Sequence, residues 1–179
     1  MKFSSKQKGT ALGMLIGFLS ALTVVILGTR FNPFQMNPAA DGFQALRIAA
    51  ISVISVCIFL VFSIGRIARH RFFSPDDIDG AGLTTGTAKV KLLQAELQNT
   101  VEQTLLAIIV YFSWAILLPS TWVLVIPLAA VSFAIGRILF FAGYSGGAPS
   151  RAAGFAMTFF PSVLMLILII YNVTLKLYA

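Results

Sequence analysis

Four long runs without a charged residue constrain this chain more than any other feature of its sequence. Residues 9–29, 48–65 and 152–175 form runs of 21, 18 and 24 residues, and each fits one helix across a hydrocarbon core of about 30 Å. The fourth run, 103–136, would form a helix of about 51 Å at 1.5 Å per residue, which is too long for one crossing. The sequence therefore predicts an all-α fold, a polytopic membrane helix bundle.

The fourth run is interrupted near its middle by Leu118-Pro119-Ser120-Thr121, where a proline and two hydroxyl residues break the apolar pattern. We expect a tight helical hairpin there, with Trp114 and Trp122 at the membrane interface on either side of the turn. Because the first span is long and no A-x-A sequence follows it directly, a retained helix is favoured over a cleaved signal peptide. Five spans result, at about 10–29, 45–66, 98–118, 121–142 and 152–175.

The distribution of Lys and Arg predicts the orientation of these spans. A cytoplasmic N-terminus places nine basic residues on the cytoplasmic side and three on the other side, as the positive-inside rule requires. The net charge of +7 has the same origin, and no basic run is interleaved with polar and aromatic residues as a nucleic-acid surface would need. We therefore expect a multi-pass integral membrane protein that contacts anionic membrane lipid, with no nucleic-acid partner.

Two further features have ordinary structural explanations. Cys57, the single cysteine, lies in an apolar run and is expected to be a small buried hydrophobe without a catalytic role. Asp76, Asp77 and Asp79 cluster in the polar loop 67–90, but no histidine adjoins them and we expect them to be solvated. The glycines of this loop lack the P-loop spacing. The sequence therefore predicts no metal site and no phosphate-binding loop.

Three charged residues near the ends of spans need an explanation, because a charge within a membrane is costly. Glu102 begins the third span, Arg137 lies in the last turns of the fourth, and Arg151 opens the fifth, all at one membrane face. We expect an ion pair between Glu102 and Arg137. Arg151 then has no carboxylate partner, so it is either an interfacial anchor for lipid phosphate or a site for an anionic ligand. A guanidinium so placed can stabilise a thiolate, the nucleophilic form of a thiol.

The neighbours of these charges recur at helical spacing. Gln98 and Asn99 precede Glu102 by four and three residues, so a polar stripe runs along the third span. Tyr144 follows Arg137 by seven residues, with two phenylalanines between them on the same face of the fourth span. A cation, two rings and a phenol therefore share one helix face.

These motifs resemble the MAPEG superfamily, the membrane-associated proteins of eicosanoid and glutathione metabolism. The resemblance covers about 45–175 and is strongest in Gly136-Arg137-Ile138-Leu139-Phe140-Phe141-Ala142-Gly143-Tyr144, followed seven residues later by Arg151. Asn99-Thr100-Val101-Glu102 is similar to the family's Asn-x-x-Glu motif. The resemblance implies a four-helix core, 45–179, after an extra N-terminal transmembrane helix and loop, 1–44. It also implies a homotrimer with active sites between subunits.

The resemblance implies a function as well. Enzymes of the family, transferases or peroxidases, present the thiol of glutathione to a lipophilic small-molecule substrate, and Arg151 matches the arginine that activates the thiol. Glutathione is then the co-substrate, and the positions that match those holding it or framing its site are Asn99, Glu102, Arg137 and Tyr144. The alternative is a non-catalytic protein of the same fold that binds lipid or a small anionic metabolite. A transporter is disfavoured, because no pair of broken helices is evident.

Three positions depart from the pattern of the eicosanoid synthases. Ala95 stands where those enzymes have a glutathione-binding arginine, and Gln103 and Phe140 replace tyrosines. Lys91, one helical turn before Ala95, is a candidate substitute for the missing cation. The departures remove a cation and two hydroxyls, so they favour weaker or altered glutathione binding, or the non-catalytic alternative.

Overall fold

The computed structural model describes residues 3–35, 42–80 and 83–178, and every regular element in these ranges is helical. The five long helices are α1 (Ser5–Arg30), α2 (Gly42–Phe72), α3 (Ala88–Leu117), α4 (Val125–Gly143) and α5 (Ala148–Tyr178). Each of them, with α4 taken together with the short 3-10 turns at its two ends, is long and apolar enough to cross a membrane. The predicted all-α, polytopic membrane bundle is confirmed.

Helices α2 and α3 extend further than hydropathy predicted. Helix α2 continues to Phe72, and α3 begins at Ala88, ten residues before the predicted span. Thr87 caps α3, because its side-chain oxygen accepts a hydrogen bond from the Val90 N–H at 3.2 Å. These extensions lie at the end of the bundle where α1, α3 and α5 begin, which we call the basic face. Hydropathy locates the apolar part of a helix, whereas the helix itself continues through charged residues with good helix propensity.

The predicted hairpin near residue 119 is present. Helix α3 ends before Pro119, and a 3-10 turn, Ser120–Trp122, delays the start of α4 to Val125. The Trp114 indole N–H donates to the Trp122 carbonyl oxygen at 3.1 Å, and the two rings are 6.4 Å apart. Trp114 is only 1% exposed and forms a buried part of the turn.

Glycines allow α4 and α5 to cross closely. A Cβ atom added to Gly154 would lie 2.3 Å from the backbone nitrogen of Phe140, so the crossing leaves no room for a side chain. The same crossing brings Arg137 of α4 within hydrogen-bond distance of Thr158 of α5. Cys57, on α2, is half-buried rather than fully buried. The close contact between α4 and α5 is what positions the site described below.

Asp77 organises the connection between α2 and α3. Its carboxylate accepts hydrogen bonds from the Thr87 N–H (2.8 Å), the Thr87 hydroxyl (2.6 Å) and the Ser74 hydroxyl (3.1 Å), and it pairs with His70 Nε2 at 2.8 Å. Burial opposes ionisation, but these hydrogen bonds outweigh it and hold the pKa of Asp77 well below its usual value of 3.8. The expectation of solvation is wrong for Asp77, because the last turn of α2 brings His70 back to it. Within the described ranges, no cluster of three His, Cys, Asp or Glu residues can hold a metal ion.

Candidate functional site

Two arginines and two aromatic rings form a stack at the basic face. The Arg137 guanidinium carbon lies 4.3 Å from the centroid of the Phe140 ring, which packs edge-on against Tyr144 at 5.1 Å. The Arg151 guanidinium carbon lies 4.3 Å from the centroid of the Tyr144 ring. Helical spacing predicted that Arg137, Phe140 and Tyr144 share a face. Arg151 joins them because the chain reverses at Gly147, whose φ of +89° suits glycine.

Arg137 is completely buried, and its partners are neutral. One terminal nitrogen, Nη1, donates to Asn99 Oδ1 at 3.0 Å and to the Thr100 hydroxyl at 3.5 Å. The other, Nη2, donates to the Thr158 hydroxyl at 2.8 Å. Its Nε has no partner among the described residues. Arg137 is thus a buried cation held by amide and hydroxyl oxygens, whereas buried charges in proteins are usually paired.

The expected ion pair between Glu102 and Arg137 is wrong. Glu102 is exposed, and its Oε1 accepts a hydrogen bond from Gln98 Nε2 at 2.9 Å, one turn earlier on α3. The buried face of α3 runs through Glu96 and Thr100, and Glu102 projects away from it. The polar stripe on α3 is therefore real, but Glu102 does not point into the bundle.

Arg66 and Glu96 form the ion pair that joins helices at the basic face. The carboxylate of Glu96 is nearly inaccessible, whereas the Arg66 side chain is 29% exposed. The Arg66 guanidinium also lies over the rings of Phe62 and Phe141, at 5.6 and 5.5 Å. Sequence reasoning missed this pair because Arg66 was taken as a basic span end on the cytoplasmic side, and Glu96 precedes the predicted third span, 98–118. One signal could have indicated this pair: Glu96 lies one helical turn before Thr100, on the buried face of α3.

A pocket of about 400 Å³ lies beside Arg151, within the size range of small-ligand sites. Three of the predicted site residues line it, namely Asn99, Tyr144 and Arg151. Arg137 does not line the pocket but lies behind two residues that do, Asn99 and Phe140, and Glu102 is not part of the lining. The rest of the lining is Thr10 and seven apolar side chains: Met14, Phe140, Ala148, Ala152, Phe155, Phe159 and Phe160.

The contact with Arg137 fixes the orientation of the Asn99 amide. Arginine has only donors, so the atom of Asn99 that faces it is the carbonyl oxygen. The Asn99 Nδ2 donates to no other described residue, which leaves it available to a ligand. Arg151 is equally available, because neither of the ion pairs found in the described ranges includes it. The pocket therefore combines a guanidinium and an amide donor with an apolar lining.

The departures from the family pattern lie partly outside the pocket. Ala95 is exposed beside a different cleft, and Lys91 lines a cleft that also contains Asp77. Neither residue lines the pocket beside Arg151. Gln103 is buried with its side-chain oxygen unpartnered among the described residues, and Phe140 lines the pocket without a hydroxyl.

Together, the fold and this site define a class of protein: a multi-pass helical membrane protein with an arginine-bearing pocket at one membrane face. The profile of the MAPEG family matches residues 45–171, more than two thirds of the chain, and the chain therefore belongs to the MAPEG family. This confirms the resemblance seen in the sequence. No curated protein and no solved structure gave a significant match. The matched residues include all five predicted site residues and leave out α1.

Proposed function

We propose that this chain is a glutathione-dependent membrane enzyme, a transferase or peroxidase acting on lipophilic electrophiles, in which Arg151 stabilises the thiolate. The observation that carries the proposal is the contact between Arg151 and Tyr144 at the edge of an apolar pocket. A cation–π contact orients the guanidinium without neutralising it, so its charge remains available to an anion. Family membership supports glutathione as the source of that anion.

The chemistry follows from the charge of Arg151. A free thiol has a pKa of about 8.5, so little thiolate is present at neutral pH. A guanidinium within hydrogen-bond reach favours the anion, and arginine keeps its charge in apolar surroundings. In a transfer, the sulfur bonds to the electrophilic carbon, the leaving group departs with its electron pair, and the thiol proton goes to solvent. In a peroxidase reaction, two glutathione molecules reduce a hydroperoxide to an alcohol and water and form one disulfide.

The other predicted site residues have supporting roles in this proposal. Asn99 donates through Nδ2 to an oxygen of glutathione, and Arg137 is a positioning residue that acts through Asn99. Tyr144 orients Arg151. Glutathione has two carboxylates and a thiolate, whereas Arg151 is the one unpaired cation among the described residues that line the pocket. A second anionic group therefore needs a partner from a neighbouring protomer. Glu102 is exposed on α3, outside the pocket of its own protomer. It belongs to a site only if that site also includes residues of a neighbouring protomer.

The second candidate function is a non-catalytic membrane protein that binds lipid or a small anionic metabolite. Phe140 favours it, because a ring without a hydroxyl lines the pocket where the eicosanoid synthases have a tyrosine. The mainly apolar lining also suits a lipid chain. On this reading Arg151 would bind an anionic head group, and no thiol would be required.

The two candidates are separated by activity and calorimetry on the protein in lipid nanodiscs. The enzyme is expected to conjugate glutathione to a chlorodinitrobenzene and to bind glutathione more tightly than an isosteric tripeptide without sulfur. If the protein shows no conjugation and does not bind glutathione at millimolar concentration, the proposed enzyme is refuted. Equal binding of the two tripeptides without turnover, or a co-purified lipid, would support the non-catalytic candidate.

We further propose a homotrimer with a cytoplasmic N-terminus and a division of the chain into 1–44 and 45–179. The excess of basic residues at the basic face supports the orientation. Within the described part of the chain, Arg151 is the one unpaired cation of the pocket, which supports an assembly that completes the site. A reporter enzyme that works only outside the cytoplasm should be active when it is fused to the C-terminus. Light scattering in nanodiscs should give three copies of the chain per particle.

A further inference from the structure

Helix α1 precedes the residues that the family profile matches, yet it is packed tightly into the bundle. It runs parallel to α5, with Gly13 next to Ala152 and Gly17 next to Ala156. A Cβ atom added to Gly17 would lie 2.2 Å from the Cβ of Ala156, so a larger residue would force the helices apart. Small residues at such crossings allow close packing in lipid. Helix α1 is therefore a fixed part of the bundle.

Helix α1 also forms one wall of the pocket beside Arg151. Thr10 and Met14, one helical turn apart, contribute to its lining. One turn further along α1, Phe18 contacts Phe160 of α5 edge-on, with the ring centroids 6.1 Å apart. Phe160 lines the pocket itself. The wall that α1 forms therefore extends from Thr10, near the basic face, to the contact between Phe18 and Phe160, which we call the deep end of the pocket.

The charge and length of the pocket define what it can hold. Its charged side chain, Arg151, lies near the start of α5, whereas Phe160 lies nine residues further along that helix. At 1.5 Å per residue, nine residues correspond to about 13.5 Å along α5. Beyond Asn99 and Tyr144, which lie close to Arg151, the α5 side of the pocket is apolar. The part of the pocket away from Arg151 therefore suits an uncharged, apolar group.

We propose that α1 is the specificity wall of this pocket, and that it limits the lipophilic substrate to an uncharged electrophile whose apolar arm follows α5 for about 13.5 Å. Met14, which lines the pocket from α1, is the side chain whose size should limit this arm. The inference rests on the proposed function for the position of the thiolate at Arg151. Long-chain α,β-unsaturated aldehydes have the required shape. The thiolate sulfur would add to their β-carbon, and the α-carbon would take up the proton that the thiol releases.

The first test is glutathione addition to aldehydes of increasing chain length, from butenal to hexadecenal, by the full-length protein in nanodiscs. Wild type is expected to prefer dodecenal, with a kcat/KM for hexadecenal lower by about tenfold because the chain exceeds the pocket. Met14→Trp should lower the ratio of kcat/KM for dodecenal to kcat/KM for butenal by about tenfold. Leu15→Trp, at the neighbouring exposed position, is the matched control and should keep the wild-type profile. A wild-type profile in Met14→Trp would overturn the proposal.

The second test needs no turnover. Dodecanol with a diazirine at its last carbon is irradiated with the protein in the absence of glutathione, and the labelled peptides are identified. Labelling near Phe18 or Phe160 should be suppressed by excess dodecenal in wild type and lost in Met14→Trp. Suppressible labelling without turnover of any aldehyde would refute the proposed enzyme and support the wall. Turnover of aldehydes without such labelling would overturn the wall and leave the enzyme standing.

Discussion

Arg137 holds the side chain of Asn99 through a hydrogen bond of 3.0 Å from its Nη1 to the amide oxygen. Arg137 is completely buried, so it cannot touch a ligand in the pocket, whereas Asn99 lines it. The buried cation therefore acts on the pocket by directing the Asn99 Nδ2 toward it. This relationship separates a residue that contacts the ligand from one that positions it.

Asn99→Ala and Arg137→Met should each raise KM for glutathione by about tenfold and change kcat little, because a hydrogen bond to a charged group contributes about 1.5–3 kcal/mol. The double variant should also lose about tenfold rather than a hundredfold, because both substitutions remove the same oriented amide. Steady-state kinetics in nanodiscs measures this. Gln94→Ala, an amide on the same helix outside the pocket, is the control. Multiplicative losses would show that Arg137 acts independently of Asn99.

Arg151→Ala should lower kcat/KM by about a hundredfold, the usual effect of removing one group that stabilises a reacting anion. Arg151→Lys should retain part of the activity, since lysine keeps the charge but not the planar donors. The ultraviolet absorbance of the thiolate of bound glutathione should titrate at higher pH in Arg151→Ala than in wild type. Arg69→Ala, an exposed cation at the basic face, is the control. An unchanged thiolate titration in Arg151→Ala would refute the assigned role.

The five helices were predictable from sequence because three charge-free runs have the length of one bilayer crossing and the fourth, 103–136, is long enough for two. The break at Pro119 was predictable from the same length argument, but the delay of α4 to Val125 was not, because a 3-10 turn has no hydropathy signature. The stack of Arg137, Phe140 and Tyr144 followed from helical periodicity alone. The position of Arg151 on Tyr144 required the geometry of the reversal at Gly147.

Ion pairing was not predictable, because it depends on the rotation of α3 about its axis. Glu96 and Glu102 are six residues apart, which places them on different faces of the helix. Both lie near the basic face and both were compatible with an arginine partner. Only the contact between α2 and α3 shows that Glu96 faces Arg66, while Glu102 stays exposed. Periodicity gives relative positions on a helix but not the direction of the neighbouring helix.

Glu96→Ala should lower the free energy of unfolding by about 2 kcal/mol, less than the 3–5 kcal/mol of a fully buried pair because Arg66 is partly exposed. The double variant Arg66→Met, Glu96→Leu should recover much of this loss, since no charge is left unpaired. Unfolding in a mild detergent measures both. Glu102→Ala is the matched acid on the same helix and should have little effect on stability. Equal losses in Glu96→Ala and Glu102→Ala would contradict the observed pairing.

Asp77→Asn should lower the melting temperature at neutral pH, because the carboxylate accepts hydrogen bonds from Thr87 and Ser74 and pairs with His70. Since folding depresses the pKa of Asp77, its stabilisation is complete above the unfolded value of about 3.9 and is lost as the pH falls through the lower folded value. Thermal melts should therefore show a constant difference between wild type and Asp77→Asn from neutral pH to about pH 4, and a shrinking one below it. Asp76→Asn, at the adjacent exposed position, should match wild type throughout. A difference that persists unchanged in stronger acid would mean that Asp77 stabilises the connection by shape rather than by charge.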